Sequence, residues 1–223
     1  MNFELKNMPG ISQNIIFDLD GTLTNPFEGI YNSLRYALKK IGYTPVPSTL
    51  PTEFIGPPLQ QGFKNIFGLN PAETEQAVRC FREYYGQRGL FENHPYEGII
   101  ELLEHQAYSG RKLFVATSKL EEFAWKVITH FNIDRYITDL QGADYSGNHS
   151  KSGIIKALLE KYRLDLSDTI MVGDTVYDIE GAHEAGIKCI AVDYGFNTRE
   201  TLVNAGADYY ASTVGELSVL LGC

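Results

Sequence analysis

The stretch Asn14-Ile15-Ile16-Phe17-Asp18-Leu19-Asp20-Gly21-Thr22 decides how this chain of 223 residues is organised. Its first four residues form a short, mostly apolar run between polar flanks, which is typical of a buried strand. Two aspartates follow at the end of that run. Asp20-Gly21 is by itself a common turn dipeptide, but the sequence after it leads towards a helix rather than an antiparallel strand. The stretch therefore predicts a buried strand that carries acidic side chains to one edge of a sheet.

The part of the chain after Pro95 alternates between strand and helix patterns. Apolar runs predict strands at Lys112–Ala116, around Ile137, at Thr169–Val172, at Lys188–Val192 and near Tyr209. Helical spacing predicts helices at Gly98–Ala107, Glu121–Phe131, Gly153–Tyr162, Tyr177–Ala185 and Arg199–Asn204, and a last helix from Val214. This alternation implies an α/β fold, a Rossmann-like parallel sheet sandwiched by helices.

Residues 25–95 have a different pattern, with helices and no convincing strand. Helices are predicted at Phe27–Ile41, Leu59–Phe67 and Pro71–Tyr85. Five of the nine prolines lie between positions 42 and 62, where they exclude one long regular element. We therefore predict an α/β core domain, residues 1–24 and 96–223, interrupted by an inserted helical domain, residues 25–95.

Composition argues against several classes of partner. The 19 basic and 28 acidic residues give a net charge of −9, and no basic run is suited to nucleic-acid phosphates. No run of about 18 apolar residues predicts a membrane span, and the N-terminus lacks a signal-peptide pattern. The three cysteines fit neither a disulfide framework nor a zinc motif. We expect a cytoplasmic monomer or homodimer with no membrane or nucleic-acid partner.

Polar residues follow the predicted strands at the edge where open α/β sheets bind ligands. They are Asp18, Asp20, Thr117, Ser118, Lys119, Asp174 and Asp178. Two carboxylates 4 Å apart repel by about 4 kcal/mol at an effective dielectric constant near 20. A cluster of the four aspartates would raise the pKa of some of its own carboxyl groups or bind a cation. Because Mg²⁺ prefers oxygen ligands, we predict a Mg²⁺ site here.

Simpler structural roles are open for some of these residues. Ser118-Lys119-Leu120-Glu121 matches a capping box, and Asp174 is suited to cap the helix that contains Asp178. Lys151, which follows His149-Ser150, is on its own grounds a solvated loop lysine. The residues alone do not decide between these roles and catalysis.

Four segments, in order, resemble the motifs of the haloacid dehalogenase-like phosphohydrolases. Asp18–Thr24 (DLDGTLT) resembles the first motif, DxDGTxT, and Ala116–Lys119 (ATSK) is similar to the second. Lys151 fits the third motif, and Gly173–Asp178 (GDTVYD) resembles the fourth, GDxxxD. The insertion at 25–95 resembles the helical cap found in one branch of this superfamily. The resemblance implies a phosphatase with a core and a cap.

The resemblance also implies catalytic roles. Asp18 would be the nucleophile that forms an aspartyl-phosphate, and Asp20 would be the general acid and base. Thr117, Ser118 and Lys151 would hold the phosphoryl oxygens. Mg²⁺ would be bound by the Asp18 and Asp174 carboxylates and the backbone carbonyl of Asp20. Asp178 would act through water or as a support that orients Lys151.

The cap segment Phe54–Leu59 (FIGPPL) resembles that of phosphoglycolate phosphatase-like and 5′-nucleotidase-like members. This implies Glu53, Gly56 and Lys64 as substrate contacts, although the two prolines are also suited to begin a helix after a turn. The cap aromatics Phe81, Tyr84 and Tyr85 are suited to stack a nucleoside, but their helical spacing favours packing between cap helices.

We expect hydrolysis of a small phosphorylated metabolite, with phosphoglycolate first and a nucleoside 5′-monophosphate second. A sugar-phosphate mutase like β-phosphoglucomutase is a second enzyme class with the same core and cap. A haloacid dehalogenase proper is less favoured because carbon–halogen displacement does not require the acid Asp20. A phosphate-binding regulatory module on the same fold is the non-enzymatic alternative.

Overall fold

The computed structural model describes residues 12–55, 58–144 and 150–222. Its strands are β1 (Asn14–Phe17), β2 (Thr24–Asn25), β3 (His94–Pro95), β4 (Lys112–Leu120), β5 (Asp139–Ala143), β6 (Thr169–Gly173), β7 (Lys188–Val192) and β8 (Tyr209–Ala211). Its helices are α1 (Phe27–Lys40), α2 (Leu59–Phe67), α3 (Pro71–Tyr84), α4 (Ile99–Tyr108), α5 (Glu121–His130), α6 (Lys151–Tyr162), α7 (Val176–Glu184), α8 (Arg199–Asn204) and α9 (Val214–Leu220).

Six strands form one parallel sheet in the order β5-β4-β1-β6-β7-β8. Side chains alternate between its two faces because successive residues of a strand point in opposite directions. Ile15 and Phe17 belong to one core cluster, with α4, α5 and α9. Ile16 belongs to the other, with α6, α7 and α8. The expected α/β sandwich is therefore confirmed.

The central strand β1 lies between β4 and β6, and this arrangement builds the site. Phe17 is in register with Val115 on one side and Val172 on the other. The residues that follow these three strands therefore emerge side by side at one edge of the sheet. None of the helices in the described parts of the chain is long and apolar enough to cross a lipid bilayer.

The insertion contributes α1, α2 and α3, and α3 continues into a π-helical turn at Tyr85–Gly89. At its ends the structure adds two strands that we did not expect, β2 and β3, which pair antiparallel. With two residues each, they are too short for a period-2 pattern to be visible in the sequence. The boundaries of core and cap at 24/25 and 95/96 remain a prediction.

Two predicted strands have different bounds in the structure. β4 continues four residues beyond Ala116, because Leu120 pairs with Ala143 after an irregularity in the ladder. β5 begins at Asp139, since Ile137 directly follows a short 3₁₀ turn. The extension of β4 also means that Ser118 does not cap α5, whose N-cap residue is Leu120. The capping-box interpretation of Ser118 is therefore wrong.

Candidate active site

Three buried aspartates meet at the edge of the sheet. Asp18 follows β1, Asp174 follows β6, and Asp178 lies in the first turn of α7. One carboxylate oxygen from each lies within 4.8 Å of the other two. Asp18 is 6% exposed, and the other two are fully buried. The sheet therefore brings together the acidic groups of the first and fourth motifs.

Lys151 provides the positive charge inside this cluster. Its Nζ donates to Asp18 Oδ1 at 2.7 Å and to the Ala116 carbonyl at 2.9 Å. The same nitrogen lies 2.8 Å from Asp178 Oδ1. Lys151 is 8% exposed and begins α6, after the N-cap residue Ser150. It is therefore a buried ion-pair partner, and the interpretation as a solvated loop lysine is wrong.

Asp178 is held by donors from its own loop, and Asp174 by donors from the loops after β1 and β7. Asp178 Oδ2 accepts hydrogen bonds from the backbone N–H and the hydroxyl of Thr175. Asp174 Oδ1 accepts from the Thr22 hydroxyl at 3.0 Å, and its Oδ2 accepts from the Phe196 N–H at 2.9 Å. Asp178, rather than Asp174, thus accepts the hydrogen bonds at the N-terminus of α7, and the Asp174 carboxylate lies between the loops after β1 and β7.

Glycines make room for these carboxylates. Gly21 has a φ of +93°, and a Cβ at this position would overlap the Asp174 carboxylate. A Cβ at Gly195 would overlap the same side chain, and one at Gly173 would overlap that of Asp178. Gly21 is therefore required twice, for its left-handed backbone and for its lack of a side chain.

The electrostatics of the cluster favour protonation in the absence of a cation. Burial is the main cause that raises the pKa of Asp18 to about 6, with Lys151 opposing and Asp178 and Asp20 adding to the rise. Burial, Asp178 and Asp18 also raise the pKa of Asp174 well above its usual range. Desolvation and like-charge repulsion both disfavour the ionised form.

These residues fit a divalent metal ion. Three buried carboxylates against one ammonium leave excess negative charge, which a cation would neutralise. Asp178 Oδ1 accepts no hydrogen bond of ordinary geometry from the described residues, although it lies close to Lys151. The carboxylates of Asp18 and Asp174 give the hard oxygen donors that such an ion prefers.

Asp20 and Lys119 form a second charged pair beside the cluster. Lys119 Nζ lies 2.5 Å from Asp20 Oδ1, and its side chain is 5% exposed. Burial lowers the pKa of Lys119, but Asp20 outweighs this and raises it above its usual value. Lys119 reaches Asp20 because β4 continues past the edge of the sheet, as irregular strands at active sites often do.

A cavity of about 430 Å³ opens onto both charged groups. Its floor includes Asp18, Asp20, Thr117, Ser118, Lys119, Ser150, Lys151 and Thr175. Its other walls include Ile30, Phe54, Ile55, Pro58, Leu59, Gln60, Gln61, Phe81, Arg82 and Tyr85 from the insertion. The inserted helices therefore cover the site, and every predicted catalytic and phosphate-binding residue lies on its floor.

Two of the predicted cap contacts, Glu53 and Lys64, do not line this cavity. Glu53 lines a second, more open pocket with Tyr177 and Asn197. Lys64 is exposed on α2 and does not line the main cavity, and Gly56 lies outside the described residues. Their role in substrate binding remains a prediction. The insertion residues that do line the cavity include Phe81 and Tyr85, for which helical spacing favoured packing between cap helices over stacking on a nucleoside.

Sequence reasoning missed the partners that hold the catalytic residues. The Phe196 N–H and the Ala116 carbonyl are backbone groups, so no side-chain type marks them in the sequence. The Thr22 hydroxyl, which donates to Asp174, is another such partner. Lys119 stood among the strand-end residues without a role, and only its pairing with Asp20 reveals one.

Residues 15–192, from β1 to β7, match the family model of the haloacid dehalogenase-like hydrolases. The chain belongs to this family. The matched range contains all four motif segments and the inserted helices. The loop with Gly195 and Phe196 lies outside the matched range.

Relatives of this haloacid dehalogenase-like hydrolase cover nearly its whole length. A 5′-nucleotidase of Pseudomonas aeruginosa is 38% identical over 209 residues, 93% of this chain and 95% of the relative. Tyrosine-protein kinase PtkA of Mycobacterium tuberculosis is 36% identical over 219 residues, 96% of this chain and 74% of the relative. A phosphoglycolate phosphatase of Vibrio cholerae is 29% identical over 212 residues, 91% and 94% of the two chains.

A solved structure shares the fold closely. The structure of a predicted phosphatase from Clostridium acetobutylicum matches with a TM-score of 0.88 at 34% identity, covering 94% of this chain and 98% of that chain. Family, relatives and structure together assign this hydrolase to the phosphatases.

Proposed function

We propose that this phosphatase is a Mg²⁺-dependent enzyme that hydrolyses a small cytoplasmic phosphate monoester through an aspartyl-phosphate. The observation that carries the proposal is the contact of one buried lysine, Lys151, with the nucleophile candidate Asp18 inside a group of three carboxylates. A purely structural ion pair has no need of the two further buried acids. Mg²⁺, held by Asp18, Asp174 and the Asp20 carbonyl, would supply charge neutralisation at the phosphoryl oxygens.

Asp18 attacks phosphorus in the first half of the reaction. Lys151 holds its Oδ1 and leaves the other oxygen to form the new P–O bond while the ester P–O bond breaks. Asp20 gives its proton to the departing alkoxide. It then takes a proton from the water that attacks the aspartyl-phosphate, which releases inorganic phosphate and restores Asp18.

Thr117 and Ser118 provide hydroxyl donors on the floor of the cavity. The Thr117 oxygen already accepts a hydrogen bond from the Lys119 N–H at 3.2 Å, so its own hydrogen is available for a phosphoryl oxygen. Together with the Lys151 ammonium, these donors match the charge that develops on the transferred group. Asp178 acts by positioning Lys151, because its other oxygen is committed to Thr175.

The cavity favours a substrate larger than phosphoglycolate. Its volume lies in the range of pockets that hold whole small-molecule ligands, and many of its insertion walls are apolar or aromatic. A nucleoside presents a flat ring to such walls, whereas glycolate adds only two carbons. We therefore place nucleoside 5′-monophosphates before phosphoglycolate, the reverse of the order expected from the motifs. Phosphoglycolate is the second candidate because the cations Arg82 and Lys119 line the same cavity.

The direct test is hydrolysis of p-nitrophenyl phosphate by the wild type with Mg²⁺, by the wild type with EDTA, and by Asp18→Asn with Mg²⁺. We expect turnover only in the first condition, with a loss of about 10³-fold or more in the variant. Equal rates in all three would contradict the proposal. In a separate incubation with a sugar phosphate, transfer of the phosphoryl group to another hydroxyl of the sugar without release of inorganic phosphate would instead indicate the mutase.

A further inference from the structure

Tyr85 brings a side chain from the insertion into the wall of the main cavity. It is the first residue of the π-helical turn that follows α3, and such turns are frequent at functional sites. Its ring stacks on Phe81, with centroids 5.5 Å apart, and meets the edge of Phe123 from the core at 5.9 Å. The ring is therefore fixed from both sides, and its orientation is set by the fold.

The Tyr85 hydroxyl is buried beside the Lys119 ammonium. The residue is 5% exposed and lines the cavity, yet its oxygen makes no hydrogen bond of ordinary geometry with the described residues. Phenylalanine would fill the same space without burying a hydroxyl. Burial is the main cause that raises the pKa of Tyr85 to about 12, with Lys119 opposing and Asp20 adding to the rise. The hydroxyl is therefore a proton-bearing donor at neutral pH.

Tyr85 lies on the side of the site where we expect the leaving group, and not on the side of the phosphoryl group. Lys119 Nζ lies 5.2 Å from the centre of the Tyr85 ring and 2.5 Å from Asp20 Oδ1. Asp20 is the proposed proton donor to the ester oxygen, so donors beside it face the alcohol that departs. Lys151, on the phosphoryl side, binds Asp18 instead.

We propose that the Tyr85 hydroxyl, beside the Lys119 ammonium, forms a leaving-group subsite that donates a hydrogen bond to an oxygen on the carbon next to the esterified carbon. This inference rests on the proposed function. Nucleoside 5′-monophosphates carry such an oxygen in the ribose ring, and phosphoglycolate carries it in its carboxylate. Tyr85 is thus a specificity-determining residue that selects oxygen-bearing alcohols.

The test compares the wild type with Tyr85→Phe on pairs of esters that differ in this oxygen. One arm uses AMP and its carbocyclic analogue, in which CH₂ replaces the ribose ring oxygen. The other arm uses phosphoglycolate and n-propyl phosphate. We expect the variant to lower kcat/KM by about five- to tenfold for the oxygen-bearing member of one arm, the size of one hydrogen bond. The carbon analogue should change by less than about twofold.

Tyr84→Phe is the matched control. Its hydroxyl binds Glu92 Oε1 at 2.9 Å, and Tyr84 is not among the residues that line the cavity. Tyr84→Phe should leave the ratio within each pair unchanged. The arm in which Tyr85→Phe acts selectively identifies the source of the oxygen.

Two outcomes would overturn the inference while leaving the phosphatase intact. Equal losses for both members of each pair would show that Tyr85 only supports the fold, and no loss in either arm would show that the hydroxyl touches no substrate. A wild type that hydrolyses p-nitrophenyl phosphate but none of the four esters with Mg²⁺ would also overturn the inference, whereas failure on p-nitrophenyl phosphate as well would defeat the proposed function itself. Thermal melts of both variants identify any loss of folding.

Discussion

Lys151 places one positive charge between two buried carboxylates. Its attraction to both of them offsets part of the cost of removing these acids from water. Replacing it with methionine leaves Asp18 and Asp178 facing each other without a counter-ion. Removing one partner of a buried ion pair costs about 3–5 kcal/mol. We therefore expect Lys151→Met to lower the free energy of unfolding by that amount in EDTA at pH 7, measured by urea denaturation.

Lys161 offers the matched control for this prediction. It pairs with Asp139 at the same distance, 2.7 Å, but its side chain is 58% exposed. Exposed pairs contribute about 0–1 kcal/mol, so Lys161→Met should have little effect. Similar losses in the two variants would show that burial does not govern the strength of these pairs.

Asp174 determines a pH dependence of stability that should differ between metal-free and Mg²⁺-bound protein. The pKa of Asp18, raised mainly by burial to about 6, and that of Asp174 are both higher in the folded than in the unfolded state. The folded protein therefore binds more protons than the unfolded chain. For Asp18, the free energy of unfolding falls as the pH rises from about 4 through 6. For Asp18 this amounts to about 3 kcal/mol. Mg²⁺ should reverse the trend by stabilising the ionised forms.

Asp174→Asn removes one charge while keeping an amide that can satisfy Thr22 and Phe196. We expect it to raise the melting temperature in EDTA at pH 7 and to abolish most of the stabilisation by Mg²⁺. Asp139→Asn is the control and should lower the melting temperature. Burial raises the pKa of Asp139, but hydrogen bonds from Lys161 and the Leu140 N–H lower it overall, so the folded state stabilises the ionised carboxylate. A melting temperature of Asp174→Asn in EDTA below that of the wild type would contradict the prediction.

At the scale of elements, short loops after the strands place the catalytic groups, and their glycines set how closely the loops approach. Gly21→Ala should cost about 1 kcal/mol for its left-handed backbone and should also displace Asp174. We expect the variant to lose both phosphatase activity and the Mg²⁺-dependent rise in melting temperature.

Gly110→Ala separates the two effects. Gly110 has a similar φ, +82°, but no described atom lies within 4 Å of a Cβ built there. Its alanine variant should lose similar stability from the backbone while keeping activity and the response to Mg²⁺. Loss of the Mg²⁺ response in both variants would mean that backbone strain alone, and not contact with Asp174, damages the site.

At the scale of the whole molecule, the insertion and the core share one apolar cluster. Phe54, Phe63 and Phe81 of the insertion belong to the same cluster as Phe17 and Val115 of the sheet. A continuous cluster predicts one cooperative unfolding transition for both parts. Phe63 is fully buried, so Phe63→Ala should cost about 3–5 kcal/mol and shift that transition without splitting it.

Trp125 allows this prediction to be checked because it is the one tryptophan of the chain and lies on α5 of the core. In Phe63→Ala, its fluorescence should follow the same urea curve as the circular dichroism of the whole chain. Phe91→Ala, at a site 45% exposed, is the control and should shift the curve by much less. Separate curves for the two signals would mean that the insertion unfolds on its own.

The sequence was most informative where a local pattern corresponds to a local structure. β1, β7, α2 and α8 have the predicted bounds, because runs of apolar residues and helical spacing depend only on near neighbours. The acidic pairs after β1 and β6 were located for the same reason, since parallel strands bring their carboxyl ends to one edge. Two-residue strands such as β2 and β3 carry no such pattern.

Local sequence patterns alone predict the α/β sheet and the polar residues that meet at one of its edges. They also predict a phosphatase chemistry for those residues. Only the tertiary structure decided which groups hold them: the Phe196 amide on Asp174, Lys119 on Asp20, and Tyr85 on the wall of the cavity. Each of these contacts joins segments that are far apart in the chain. Short-range sequence patterns contain no record of such distances, because the contacts form only when the strands pair in the sheet and the insertion packs against the core.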